Sequence, residues 1–139
     1  MDESRSPLEE ALARVGDRWT LLVVDALLDG PRRFNELADA VRGIAPNILT
    51  QRLRHLEREA LIVARAYSER PRRSVYELTE PGRELAGALR LLSQWGARGG
   101  EEGEPLRHAA CGTPLQARWW CETCGEPVDD ADAADVNYV

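Results

Sequence analysis

Apolar side chains recur every three or four residues in four separate stretches of the first 60 residues. This spacing places the apolar residues on one face of a helix and therefore predicts four helices. The stretches cover about residues 8–15, 17–28, 34–41 and 46–60. Gly16 ends the first one, and Pro46 suits the first turn of the fourth because proline has no N–H to leave unpaired there.

Two β-prone runs follow the fourth helix, Leu61–Tyr67 and Ser74–Leu78. The charged stretch between them contains Pro71, which predicts a hairpin loop. Thr79 is a suitable N-cap for a last long helix that reaches Trp95. The order helix, helix, short helix, turn, helix, hairpin, helix predicts a winged helix-turn-helix, which is a mainly α fold with a small β-hairpin (α+β).

The end of the chain differs in composition from residues 1–96, which form the predicted winged helix-turn-helix domain. Residues 97–105 are rich in glycine and acidic side chains and have no periodicity, so we expect a flexible linker there. Residues 106–128 hold all three cysteines and predict a small separate module. Residues 129–139 are acidic and are expected to be disordered.

No stretch of the chain reaches the roughly 18 consecutive apolar residues that a membrane helix needs. The N-terminal residues are charged where a signal peptide would be apolar. We therefore expect a cytoplasmic protein that has no membrane partner. We also expect no enzymatic activity, because the sequence offers no nucleophile–base pair, no open metal site and no phosphate-binding loop.

The net charge of −6 is unusual for a protein that binds DNA, so the distribution of charge along the chain matters. Residues 42–83 contain nine arginines and five acidic residues, which gives this segment a charge of +4. The rest of the chain carries the excess of acidic residues. A basic middle between acidic ends permits a local phosphate-binding surface but does not establish one.

The outward face of the fourth predicted helix carries side chains that suit base edges. Leu49, Leu53 and Leu56 fall on one stripe of this helix. The outward positions i, i+3, i+4 and i+7 hold Asn47, Thr50, Gln51 and Arg54. Arginine can pair with guanine, asparagine or glutamine with adenine, and threonine with the methyl group of thymine. A solvated helix face is the alternative interpretation, but the short helix and tight turn before it present the fourth helix to a major groove.

Arginines cluster at two further places. Arg70, Arg72 and Arg73 lie at the tip of the predicted hairpin, where they either contact phosphate or the minor groove or simply form a charged loop. Arg32 and Arg33 precede the third helix and are candidates for contact with the phosphate backbone. The position of both clusters beside a candidate recognition helix favours DNA binding.

Two long stretches, residues 16–62 and 71–96, resemble the HxlR-type family of bacterial winged helix-turn-helix regulators. The resemblance rests on the motifs RFNEL, LTQRLRHLE and YELTEPGREL. It implies a homodimer that joins through the first and last helices and binds near-palindromic promoter DNA. The residues that it places at the DNA are Arg33 and Asn35 near the backbone and Asn47, Thr50, Gln51 and Arg54 in the groove.

The apolar side chains of the first and last helices exceed what one winged helix can cover, so we expect them in the dimer interface. They are Leu8, Leu12, Leu89, Leu92 and Trp95. The chain departs from the family pattern near the start of the first helix, where it has no cysteine, so thiol sensing by that route is unsupported. Ala45 and Ala60 stand where a capping serine and a helix-ending glycine are usual.

Two half-motifs of the form ligand-x-x-ligand-Gly lie in residues 106–128. One joins His108 and Cys111, and the other joins Cys121 and Cys124. Two residues between the ligands let both reach one ion, and the glycine permits the left-handed turn that follows. The four ligands therefore predict one structural, tetrahedral Zn²⁺ per chain. A redox pair at the second motif is the alternative, but it does not account for the duplication.

Together these patterns predict a homodimeric transcriptional regulator, a repressor, that binds double-stranded promoter DNA. The alternative is an adaptor of the transcription machinery, in which the winged helix and zinc module bind proteins without reading sequence. The acidic net charge favours the adaptor, whereas the basic wing and the polar face of the fourth helix favour the DNA-binding regulator. The sequence leaves open whether a small-molecule effector acts on it and which genes it controls.

Overall fold

The structure, a computed structural model, describes residues 4–98, 104–129 and 131. Most of the predicted linker and nearly all of the predicted acidic tail lie outside these residues. The chain divides into two compact units, Met1–Leu89 and Arg90–Val139, and the boundary falls inside the last long helix. We call them the first unit and the second unit.

Helices and a three-stranded sheet build the first unit. In chain order its elements are α1 (Pro7–Val15), α2 (Arg18–Leu27), β1 (Arg32–Arg33), α3 (Phe34–Ala40), α4 (Pro46–Arg58), β2 (Ile62–Glu69), β3 (Arg72–Leu78), α5 (Glu80–Arg83) and the start of α6 (Ala86–Ala97). The sheet is antiparallel with the order β1-β3-β2, and β2 and β3 form the wing. This is a winged helix fold of the α+β class, as predicted. No helix in the described ranges is long and apolar enough to cross a membrane.

Side-chain caps explain where the first two helices begin. The Ser6 hydroxyl accepts a hydrogen bond from the Glu9 N–H at 3.2 Å, and the Glu9 carboxylate accepts one from the Ser6 N–H at 2.6 Å. Asp17 accepts bonds from the N–H groups of Trp19 and Thr20, at 2.9 and 3.1 Å. Each cap satisfies amide groups that have no partner within the helix, so both helices start within one residue of the predicted positions.

The core of the first unit forms where α2, α3, α4 and the sheet meet. Its buried hydrophobic residues are Val15, Val23, Val24, Leu27, Leu37, Val41, Ile44, Leu49, Leu53, Leu56, Leu61, Ile62, Leu78 and Leu89. Leu49, Leu53 and Leu56 are the predicted inward stripe of α4, and burying each one contributes about 1.5–3 kcal/mol. Their burial sets the rotation of α4 about its axis, so that its opposite face points to solvent.

The wing is longer and its loop shorter than the sequence predicted. The strands pair as far as Glu69 with Arg72, and only Arg70 and Pro71 form the turn. Arg72 and Arg73 therefore lie in β3 and not in a loop. The prediction was wrong because it used apolar residues to mark the strand ends, whereas the outer part of this ribbon is solvated on both faces and needs no apolar alternation.

The sequence did not predict β1. This strand has two residues, Arg32 and Arg33, and pairs with Tyr76 and Val75 of β3. It carries no hydrophobic pattern of its own, so its existence depends on the neighbouring strand. Through this pairing, the start of α3 is attached to the wing.

The C-terminus of α4 is a left-handed turn without a glycine. Ala60 has φ +57°, and hydrogen bonds of 3.0 Å run from the Ala60 N–H to Glu57 O and from the Leu61 N–H to Leu56 O. This is a Schellman motif, in which glycine is favoured because a Cβ is strained at positive φ. Ala60 therefore stores strain at the end of the helix.

We expect Ala60→Gly to raise the free energy of unfolding by about 0.5–1 kcal/mol, because relief of strain exceeds the entropy cost of the added glycine. Urea denaturation of the full chain measures the change. Ala11→Gly, at an exposed position inside α1, is the matched control and should lower the stability by about 1 kcal/mol. A loss of stability in both variants would contradict the assignment of strain to Ala60.

The single long helix predicted after Thr79 is interrupted at Glu84 and Leu85, between α5 and α6. The Thr79 hydroxyl accepts a bond from the Gly82 N–H at 3.2 Å, as predicted for an N-cap, and donates one to Ala60 O at 2.7 Å. At Leu85 the backbone N–H bonds to Gly82 O, which is an i−3 partner that tightens the turn. The hydroxyl of Thr79 thus joins the start of α5 to the end of α4.

Gly82 is packed against the backbone at this junction. A Cβ at this position would lie 2.2 Å from Leu61 O, which cannot rotate away. We expect Gly82→Ala to lower the free energy of unfolding by about 1–3 kcal/mol. Gly87→Ala, in the open space around α6, should instead raise it by up to about 1 kcal/mol. Thermal denaturation of both variants checks the prediction, and a neutral Gly82→Ala would show that α5 can move away from Leu61.

The second unit contains most of α6 and two short hairpins. One hairpin is marked by an isolated bridge between Arg107 and Pro114, and the other pairs β4 (Trp119–Cys121) with β5 (Glu126–Val128). Between residues 104 and 129 no residue is buried, and only Cys121 and Val128 are half-buried. The two hairpins therefore have no hydrophobic core of their own.

Candidate nucleic-acid interface

The predicted outward face of α4 is exposed in the structure. Asn47, Gln51 and Arg54 are exposed on this helix, while Thr50 is half-buried. The Thr50 hydroxyl donates a 3.0 Å hydrogen bond to Pro46 O, one turn earlier in the helix. This bond leaves the methyl group and the oxygen lone pairs of Thr50 for outside contacts.

An ion pair fixes the middle of α4 on its inner side. Arg52 Nε lies 2.9 Å from the Asp17 carboxylate, which also caps α2. Burial raises the pKa of Asp17, but hydrogen bonds from Thr20 and Trp19 and the charge of Arg52 outweigh it, so this pKa lies below its usual value. The carboxylate therefore stays charged at neutral pH and holds α4 against α2.

Three contacts join the C-terminal half of α4 to α1. The Arg14 Nε donates to the Glu59 carboxylate at 2.7 Å, and its Nη2 donates to Glu59 O at 3.2 Å. The Nε2 atom of His55 lies 2.7 Å from Arg14 O. The hydrogen bond from Arg14 holds the pKa of Glu59 below its usual value, so this pair stays charged as well. The α4 helix is thus a rigidly held element that presents its polar face outward.

A basic groove lies beside the wing. It has a volume of about 540 Å³, and its lining residues are Arg33, Phe34, Asn35, Tyr67, Arg72, Arg73, Ser74 and Tyr76. The family resemblance placed Arg33 and Asn35 near the DNA backbone, and the sequence left Arg72 and Arg73 as contacts to phosphate or the minor groove or as part of a charged loop. The structure brings these four residues together around one groove. Three guanidinium groups around one groove favour an anion such as phosphate.

Aromatic side chains also line this groove, and no sequence pattern predicted their role there. The Arg33 guanidinium carbon lies 5.0 Å from the centre of the Tyr67 ring, a cation–π contact that restrains the arginine. Burial and the nearby charge of Glu57 raise the pKa of Tyr76, so its phenol stays protonated. From the sequence, Tyr67 could only be assigned to a strand. Its partner Arg33 lies in β1, which is far away along the sequence.

The structure uses Arg32 differently from Arg33. Its Nε donates to Ala26 O at 2.7 Å, and its Nη2 lies 3.4 Å from the Asp29 carboxylate. These bonds satisfy a carbonyl near the end of α2. Arg32 is therefore a helix-capping residue in the structure, which leaves it out of the basic groove. Arg70, in the turn of the wing, is exposed but does not line the groove.

Four of the five apolar residues predicted in a dimer interface are exposed. Leu8 and Leu12 of α1 are 67% and 53% exposed, and Leu92 and Trp95 of α6 are 53% and 70% exposed. Leu89 is only 7% exposed, because it packs into the core of its own chain. Leu89 is therefore not available to a second chain.

Comparison with known proteins decides the family. The model of the HxlR-like helix-turn-helix family matches residues 14–104. The chain belongs to this family. It is a transcriptional regulator of the HxlR type, and its relatives are regulators and not enzymes.

Relatives of this HxlR-type chain occur in distant organisms. An HTH-type transcriptional regulator of Mycobacterium tuberculosis strain H37Rv is 43% identical over 85% of this chain and 77% of its own length. The HTH-type regulator YodB of Bacillus subtilis is 31% identical over 71% of this chain and 88% of its own length. The solved structure of the regulator ytcD covers 68% of this chain and 97% of its own chain, with a TM-score of 0.63 and 36% identity.

The four predicted zinc ligands form two pairs in the second unit. His108 Nδ1 lies 3.3 Å from Cys111 Sγ, whose sulfur also lies 3.2 Å from the Thr113 hydroxyl. A side-chain hydrogen bond links Cys121 and Cys124, and it raises the pKa of the Cys124 thiol. In the described part of the chain, no group of three or more His, Cys, Asp or Glu side chains lies close enough to hold a metal ion.

Proposed function

We propose that this chain is a sequence-specific DNA-binding regulator that acts in the cytoplasm as a homodimer on near-palindromic promoter sites. The observation that carries the proposal is the face of α4. Its exposed Asn47, Gln51 and Arg54 stand opposite a stripe of buried leucines, on a helix held by ion pairs at its middle and at its C-terminal end. A rigid helix with such a face can enter a major groove and pair with base edges.

The basic groove supplies the second half of the interface. Arg33, Arg72 and Arg73 are exposed around it, and Asn35 is exposed at the start of α3. We assign these residues to phosphate contacts, which orient a protein on DNA without reading its sequence. Arg70 extends the same positive charge to the tip of the wing. Neutralisation of phosphates by these arginines would make binding depend on salt.

We assign dimerisation to α1 and α6. Each helix exposes large apolar side chains, Leu8 and Leu12 on α1 and Leu92 and Trp95 on α6. Exposure of such residues in water is unfavourable, and a second copy of the chain covers them in a symmetric way. A dimer presents two α4 helices to half-sites about 34 Å apart. We propose repression because a dimer seated on a promoter occupies DNA that RNA polymerase needs.

A gel-shift titration of the purified chain with its own promoter region, in excess random DNA, tests the proposed function. We expect a shifted complex that survives the competitor, and a footprint with two half-sites one helical turn apart. Equal binding to promoter and random duplexes would overturn sequence-specific regulation. That result would favour the adaptor, whose winged helix binds proteins of the transcription machinery.

A further inference from the structure

The two hairpins of the second unit carry the same loop. In the first, the Gly112 N–H donates to His108 O at 2.7 Å, and in the second the Gly125 N–H donates to Cys121 O at 2.8 Å. The two glycines have φ +71° and +68°. Each loop therefore places a ligand, two spacers, a second ligand and a left-handed glycine in the same backbone geometry. A repeated loop with chemically similar ligands indicates a common partner for both loops.

The hairpins also need a cross-link to stay folded. None of residues 104–129 is buried, and the large apolar side chains of this stretch, Leu106, Leu115, Trp119 and Trp120, are between 41% and 63% exposed. Ordering residues costs conformational entropy that burial normally offsets. In so small a module without a core, disulfides or a bound metal usually take that role. Three cysteines and a histidine in paired loops favour a metal.

The distance within the first loop identifies the histidine atom that would bind. In a tetrahedral site with a Zn–N distance of about 2.0 Å and a Zn–S distance of about 2.3 Å, neighbouring nitrogen and sulfur ligands lie about 3.5 Å apart. His108 Nδ1 lies 3.3 Å from Cys111 Sγ. This pair is therefore already spaced as one edge of the tetrahedron, and Nδ1 is the imidazole nitrogen that lies beside the sulfur.

We propose that the second unit binds one Zn²⁺ per chain through His108 Nδ1 and the sulfur atoms of Cys111, Cys121 and Cys124. The ion joins the two loops and takes the place of a hydrophobic core. Each pair is formed in the structure, and binding brings the two pairs onto one ion. Four protein ligands leave no open position, so the site is structural and not catalytic.

Metal analysis of the full chain, purified without chelator, tests the site. We expect one zinc per chain in the wild-type protein, and about a tenth of that or less in Cys121→Ser, because three ligands hold the ion far more weakly. Glu122→Gln, inside the same loop, is the matched control and should retain one zinc. Full zinc content in Cys121→Ser, or none in the wild type, would overturn the proposal. A Cys121–Cys124 disulfide in the purified protein would also overturn it.

Nuclear magnetic resonance tests two further points that zinc content does not show. These are whether the ion orders the two loops and whether His108 binds it through Nδ1. We expect the amide signals of Gly112 and Gly125 to lose their dispersion in Cys121→Ser, while those of the first unit stay unchanged because it has its own core. Imidazole ¹⁵N spectra of the zinc-loaded protein should show His108 protonated only at Nε2, because Nδ1 holds the ion. A proton on Nδ1 of His108 in the zinc-loaded protein would overturn the assignment of that atom.

Discussion

Replacing Arg54 by alanine should weaken binding to the promoter site by about 5- to 150-fold, which corresponds to about 1–3 kcal/mol for a bidentate contact to a base. Binding to random DNA should change little. Arg54 is exposed on α4, and its removal leaves the buried leucine stripe intact. A loss of promoter affinity in this variant therefore measures base recognition and not misfolding. Competition titrations with promoter and random duplexes, at one salt concentration, measure both affinities.

Arg72→Ala is the matched control for this experiment. Arg72 lines the basic groove on β3, so its loss should weaken specific and random binding alike. It should also reduce the slope of log affinity against log salt by about one, since one phosphate contact is lost. Small, equal losses on both duplexes for Arg54→Ala and Arg72→Ala would contradict α4 as the reading helix.

Trp95→Glu should convert the proposed dimer to monomers and lower the affinity for the promoter site by about 10²- to 10⁴-fold, because the two half-sites are no longer bound by one complex. Trp95 is 70% exposed in the single chain, so this substitution leaves the monomer's core intact. A buried, unpaired carboxylate is strongly unfavourable in an apolar interface. Sedimentation equilibrium at micromolar concentration measures the dimer, and a gel shift measures affinity.

Leu12→Glu on α1 should have the same effect, whereas Leu22→Glu on α2 should not. Leu22 is a 39% exposed leucine outside the two helices assigned to the dimer, which makes it the matched control. A wild-type chain that sediments as a monomer and binds its operator as a monomer would refute the proposed dimer. If only Leu22→Glu abolished the dimer, the result would place the interface on α2 instead.

The helices could be predicted from the sequence because the signals that define them lie close together along the chain. Helical spacing and the caps at Ser6 and Asp17 lie within a few residues of each helix start. The same local signals could not show whether Leu89 packs inside its own chain or faces a partner. Helical periodicity identifies an apolar face of a helix but not what packs against that face. In the structure Leu89 packs into its own chain, while Leu92, three residues later, is exposed.

Contacts between distant segments account for the rest of what the sequence missed. The strand β1 exists because Arg32 and Arg33 pair with β3, more than 40 residues away. Arg32 and Arg33 looked equivalent as neighbouring cations, yet one bonds to Ala26 O and the other lies over the Tyr67 ring. The outward face of α4 was easier to predict. Its leucine stripe is buried whatever it packs against, so the opposite face is exposed.

The contacts between Arg14, His55 and Glu59 have a mechanical consequence. They fasten the end of α1 to the last turns of α4, with two charge-assisted hydrogen bonds and a contact to the α1 backbone. In the proposed dimer, which packs through α1, these contacts couple α4 to the helix that faces the partner. A small change in the angle between the two α1 helices would therefore move the N-terminal ends of both α4 helices, which lie farthest from these contacts.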